Sequence, residues 1–203
     1  MTISQSEAAP LIQRHIKALY DIPTKAWDEY HAKVPKELLV SFGARTRASA
    51  VHDLMVRNAA RYSSEVENVA LFEVRMMRGL VLSQLLAIRL KKLDEESGSR
   101  SQPTEQVTKF RNQEQLDGID ALHNLELGYV LNESETNIAE VRLVCPSGDG
   151  VAWSMRIGPE AAEPSVVDLL PKPSDPGPDK PAKITPKKPD SVVVPIRAKK
   201  DES

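Results

Sequence analysis

The sequence predicts an α+β protein, with N-terminal helices packed on a mainly antiparallel sheet and a disordered C-terminal tail. Three observations carry that expectation. As far as Tyr62, apolar residues recur at helical spacing. Between residues 69 and 157 the period shortens to two, and turn-forming residues separate the last three apolar runs. Beyond that point the composition changes, for 10 of the 15 prolines fall in residues 158–203, a stretch without an aromatic side chain. A single domain over residues 1–157 followed by a tail over 158–203 is the expected organisation.

The first helix is expected over Ser6–Tyr20, with Leu11, Ile12, His15, Ile16 and Leu19 on one face. Pro10 fits poorly inside it and suggests that the helix begins there, with proline in its first turn. Pro23 and Thr24 should reset the chain, Thr24 capping a second helix that runs to Val34. Lys36–Phe42 reads as a short turn or helix ending at Gly43, a plausible left-handed cap. Thr46–Tyr62 is the clearest helix, with Val51, Leu54, Met55, Asn58, Ala59 and Tyr62 on its stripe and Arg57 and Arg61 toward water.

A polar loop, Ser63–Asn68, precedes the first alternating segment, in which Ala70, Phe72, Val74 and Met76 should form the buried face. Residues 80–93 fit either period, and a strand over 84–93 is favoured. Ser97–Pro103 is a loop by composition, and Thr104 caps a short helix reaching Phe110. Leu125–Leu131, Ile138–Cys145 and Val151–Ile157 then read as an antiparallel meander. The separators Asn132–Asn137 and Pro146–Gly150 supply its turns. Val141, Leu143 and Cys145 should face the core with Ala152 or Trp153. In the tail, proline removes backbone donors, and the apolar islands Val166–Leu170 and Val192–Val194 are too small to offset ordering entropy.

Charge and composition narrow the function classes. The formal charge of −2 opposes wholesale binding to nucleic acid or anionic membrane. Locally, residues 36–100 carry 11 basic against 8 acidic groups, while residues 101–157 carry 4 against 9. The longest apolar run, Leu80–Ile88, is interrupted by Ser83 and Gln84 and is under half the ~20 residues of a membrane-spanning helix. With no secretory pattern at its start, the chain is expected to be cytoplasmic.

Catalytic patterns are not apparent. His15, His31, His52 and His123 lie on separate elements without metal-ligand spacing, and His15 and His31 read as core or boundary histidines. Cys145 reads as a buried structural thiol, since no histidine or helix start is near to activate it. His52 and Asp53 adjoin on one helix and point about 100° apart, so they cannot orient one another. Glu65, Glu67 and Glu73 lack the Glu-x-Lys pair that a metal-dependent nuclease would need. No glycine-rich phosphate loop occurs, and neither a cofactor nor a metal is expected. The remaining candidates for partner or nucleic-acid contact are Arg45, Arg47, Arg57 and Arg61 on the long helix, with Arg89, Lys91 and Lys92. The last three read as a solvated strand end, neutralised by Asp94, Glu95 and Glu96.

The stretch Leu86–Asp94, Ser101-Gln-Pro-Thr104, Gly128-Tyr-Val-Leu131, Val144-Cys-Pro-Ser-Gly148 and Trp153 resembles a group of bacterial and prophage proteins. These are encoded beside an antitoxin that joins a helix-turn-helix to a zinc-peptidase-like domain. The resemblance covers about residues 45–157 and implies the toxin component of a two-protein module, neutralised by direct binding to a cognate antitoxin-like partner. It assigns no catalytic residue. A non-enzymatic effector is therefore the favoured expectation. The alternative is a cytosolic regulatory adaptor touching nucleic acid through the arginines of the long helix.

Overall fold

In the computed structural model, residues 2–99 and 104–158 are described. The expectations for the tail from residue 159, including both apolar islands, and for positions 100–103 of the loop lie outside them. The architecture is α+β, with N-terminal helices against a six-stranded, mostly antiparallel sheet.

Helix α1 spans Gln5–Ile12 and starts earlier than Pro10 suggests. Ser4 closes a capping box: its Oγ accepts from the Glu7 amide, and the Glu7 carboxylate accepts from the Ser4 amide at 2.9 Å. That reciprocal cap sets the start, and Pro10 is carried inside the helix. A 3₁₀ turn, Gln13–His15, then separates α1 from α2, which spans Ile16–Lys33. The expected break at Pro23 does not occur. Ile22, Pro23, Ala26, Trp27 and Tyr30 are all buried, and Thr24 Oγ1 donates to the Tyr20 carbonyl at 2.9 Å. Burial of that face outweighs an interior proline costing about 3 kcal/mol.

After α3, Lys36–Ser41, Gly43 is extended (φ −67°, ψ 162°) and serves as the N-cap of α4, Ala44–Glu65. It is not a left-handed C-cap. The long helix thus begins before Thr46 and absorbs the first part of the expected Ser63–Asn68 loop.

The strands are β1 (Val69–Val74), β2 (Met77–Leu82), β3 (Leu86–Lys92), β4 (His123–Leu131), β5 (Ile138–Ser147) and β6 (Gly150–Ile157). Helix α5, Glu105–Arg111, lies between β3 and β4 with Thr104 as its cap. Spatial order follows chain order, and all neighbours are antiparallel except β3 and β4, which run parallel. The single strand expected over 84–93 is instead the second arm of a hairpin. Ser83 and Gln84, with φ of 52° and 57°, reverse the chain without glycine. β1 also ends sooner than expected. Met76 sits in the following turn, 90% exposed, and Ala70 is exposed, whereas Phe72 is buried and Val74 half-buried.

Alternation along the strands divides the sheet into two faces. Leu80, Ile88, Leu90, Leu127, Tyr129 and Leu143 point beneath α1, α2 and α4 and build the main core. Cys145 and Trp153 pair across β5 and β6 and join that core, which settles the facing in favour of Trp153. On the second face, Phe110, Leu116, Ile119 and Ala121 of the crossover pack on Phe72, Met77, Val81 and Ala87. A small cluster of Leu93, Val130 and Val144 lies farther along. Gly79 permits the β2–β3 approach, because a Cβ there would stand 2.1 Å from the Ile88 carbonyl oxygen.

Gln113 and Asn124 pin the crossover to β4. Gln113 Nε2 donates to the Asn124 and Pro146 carbonyls at 2.8 and 2.9 Å, while its Oε1 accepts from the Asn124 amide at 2.9 Å. Asn124 Nδ2 donates in turn to the Phe110 and Glu114 carbonyls at 3.1 and 3.0 Å. These bonds satisfy loop backbone groups that burial would otherwise strand.

Candidate functional site

The seven basic residues singled out from the sequence do not form one patch. Arg45 and Arg61 are exposed near opposite ends of α4. Arg47 and Lys92 converge on Glu135 in the β4–β5 turn, Lys92 Nζ lying 2.8 Å from its Oε1. The Lys92 hydrogen bond, with Arg47 nearby, holds the Glu135 carboxyl below its ordinary range. Arg57 pairs with Glu29 of α2 rather than facing water alone. Arg89 and Lys91 belong to a different place, on the second face of the sheet.

That place departs most from the expectation of a solvated strand end. Arg89 is 6% exposed and Glu126, its partner on the parallel neighbour β4, is 2% exposed. Arg89 Nη1 lies 3.5 Å from Glu126 Oε1, and neither atom has a hydrogen-bond partner. The guanidinium carbon stands 6.0 Å from the centre of the Phe110 ring. Arg111, next to Phe110, has a buried Nε that is likewise without a partner. Lys91, half-buried, is held down to about 8, first by burial and then by Arg89, with Glu126 opposing. Burial also lowers Arg89, and Arg111 adds to the effect.

His15 and Cys145 are committed to structure, whereas His31 is exposed and the buried Nδ1 of His123 has no hydrogen-bond partner. His15 is 1% exposed, with both ring nitrogens engaged. Arg14 Nε donates to His15 Nε2 at 2.9 Å, so the neutral ring carries its proton on Nδ1 and donates to the Tyr62 hydroxyl at 2.5 Å. Burial and Arg14 lower the His15 pKa, which keeps the ring neutral. The nearest approach of His52 Nδ1 to Asp53 is 3.9 Å, too long for a hydrogen bond. Cys145 is fully buried, and burial pushes its thiol up to about 12. Among the described residues no three His, Cys, Asp or Glu side chains gather to hold a metal ion, and no helix is long and apolar enough to cross a membrane.

An open groove of about 410 Å³ lies between α2 and the ends of β5 and β6. Tyr20, Thr24, Trp27 and Asp28 form one wall, and residues 137–141 with 156–158 form the other. Here β5 outruns its neighbour. The β6 register stops at Val141 opposite Ile157, while β4 still pairs with Ile138 on the other side. Among the described residues, the backbone of 138–140 therefore has no strand along its groove edge. Glu140 is held at this edge by Arg142, 2.6 Å away, and by Arg156.

Sequence reasoning missed both the groove and Glu126. The groove depends on strand ends that differ in length, which periodicity does not resolve. Glu126 did carry a signal, as a lone acid between Leu125 and Leu127 in an otherwise apolar strand. Comparison with protein-family models, with curated proteins and with solved structures finds no match for this chain.

Proposed function

We propose that this chain is a non-enzymatic effector that acts by binding another protein, in the specific form of the toxin component of a two-protein module neutralised by its partner. The observation that supports binding is the groove beside α2, where an unpaired stretch of β5 backbone lies next to Trp27 and Tyr20. An extended segment of a partner could add there as a strand, its backbone supplying affinity and the groove walls supplying selectivity. The toxin–antitoxin form rests on the resemblance alone. The alternative, an adaptor that reaches nucleic acid through α4, has less to draw on, because Arg47 and Arg57 already pair with Glu135 and Glu29.

The test is co-purification of the full chain, and of residues 1–157, with the product of the neighbouring gene, alongside growth curves on expression. Ala139 is exposed within the groove wall, so Ala139→Arg fills the groove without entering the core. The expected result is slowed growth from the chain alone, rescue by the neighbour, and at least tenfold weaker capture of the variant. If neither form of the chain binds that product and neither slows growth, the effector reading fails.

A further inference from the structure

The two edges of the sheet are guarded differently. At β6 the ladder shifts register between Cys145 and Pro146, and Trp153 Nε1 donates to the Ile3 carbonyl at 2.8 Å, which brings the N-terminal segment to that edge. β1 has neither device. It pairs with β2 in an unbroken register and contains no proline or lysine. The Ser83 amide donates to the Asn68 carbonyl at 2.7 Å, which sets the phase of that ladder. Ala70, Phe72 and Val74 therefore exchange hydrogen bonds with β2, while the amides and carbonyls of Val69, Leu71 and Glu73 point out from the sheet. Among the described residues no strand pairs with that side, and Ala70, Leu71 and Glu73 are exposed. An unguarded edge of this kind is a template for another strand.

We propose that β1 is a dimerisation edge, pairing antiparallel with β1 of a second copy about a two-fold axis at Leu71. In that register every outward backbone group finds a partner within the strands. Leu71 faces Leu71 of the second copy, and Val69 faces its Glu73. The other registers are worse. An axis at Ala70 brings Glu73 opposite Glu67, and an axis at Glu73 sets that carboxylate against itself, and like charges directly opposite destabilise a pair. An axis at Phe72 leaves Val69 facing Arg75, beyond the end of the strand.

Charge selects the same register. With the axis at Leu71, Glu67 of each copy stands opposite Arg75 of the other, just past the strand ends. Both side chains are exposed, whereas Glu73 is already held by Arg78 of its own copy at 2.8 Å. Leu71, 37% exposed, would be covered by its counterpart on the axis. One short strand falls well below the roughly 800 Å² per partner of a standard interface, so the dimer is reversible and depends on concentration. This edge shares no residue with the groove beside α2, and the two readings stand or fall separately.

The experiment uses the full chain, with mass read by analytical ultracentrifugation across a dilution series and amide exchange followed by NMR at each concentration. A monomer–dimer equilibrium is expected. The Leu71 and Glu73 amides should gain protection that dilution removes, while those of Ala70 and Phe72 stay protected throughout. Glu67→Arg and Arg75→Glu should each weaken dimerisation about tenfold, since the two-fold axis repeats each clash. The double variant should restore it, because opposite charges face each other again. Leu71→Lys, at an exposed position, should give a monomer that melts like the parent. A chain that is monomeric at every concentration, a dimer without protection at Leu71, or a double variant no better than the single ones would overturn the proposal. Protection that arises only when a different protein is added would overturn it in favour of a foreign strand at the same edge.

Discussion

The two faces of the sheet divide the work differently. Under the helices, one continuous core runs from Val69 on β1 to Ile157 on β6. The opposite face holds two smaller apolar clusters, with the Arg89–Glu126 pair set among them. Burial of apolar surface contributes about 25 cal/mol per Å², so the helical face supplies most of the stability. The second face, contributing less to cohesion, can accommodate polar groups whose burial opposes it.

The comparison can be tested most severely at the sheet edge. Ending the chain at Asp149 removes β6 and with it Trp153, Met155 and Ile157, along with the bond from Trp153 Nε1 to the Ile3 carbonyl. The expected result is loss of cooperative melting, because several kcal/mol would be taken from a typical stability of about 5–15 kcal/mol. A shortened chain that melts cooperatively at the parent temperature would show that the edge strand is peripheral.

A finer comparison uses neighbours on one strand. Leu143 and Val144 are both fully buried on β5 but point to opposite faces. Leu143→Ala should cost about 2–5 kcal/mol and Val144→Ala about 1–2 kcal/mol, measured by urea denaturation. Equal losses, once scaled for the atoms removed, would mean that the faces contribute alike.

The smallest expected effect lies at the buried histidine. The His15 pKa is lowered in the folded protein from its ordinary 6.5, so protons favour the unfolded chain. Its contribution is complete above about pH 6.5 and is lost as pH falls through the folded value. Tyr62→Phe removes the acceptor of the Nδ1 proton and should cost about 1 kcal/mol at neutral pH. Denaturation midpoints between pH 5 and 8 would read both effects. A wild-type profile that is flat or rises on acidification would contradict the neutral assignment.

Much of the fold was legible where local chemistry and tertiary packing agree. The stripe of Val51, Met55 and Ala59, the Thr104 cap and the turn at 132–137 all speak through neighbouring residues, while the turn expected over 146–150 shrinks to Gly148 and Asp149, because β5 runs on to Ser147 and β6 starts at Gly150. The β2–β3 hairpin was hidden because Ser83 and Gln84 occupy left-handed positions usually announced by glycine or asparagine. Pro23 misled for the converse reason, since a strong local signal yielded to burial of the helix around it. The candidate sites were less legible. Arg89 and Lys91 stood out as basic, but their burial and the company of Arg111 and Glu126 arise from the parallel pairing of β3 with β4, and no sequence period encodes that pairing.

That parallel joint also shapes the route by which the sheet can assemble. β1–β3 and β4–β6 are two meanders, each closed by short reversals that a chain can search within microseconds. Only the seam between them couples distant positions, beginning where Leu86 meets His123. The entropy of closing that loop must be met before the seam contributes any contact, and non-local pairing of this kind slows folding. The sheet is continuous in its hydrogen bonds, but in sequence separation it is two local halves joined by one long-range pairing.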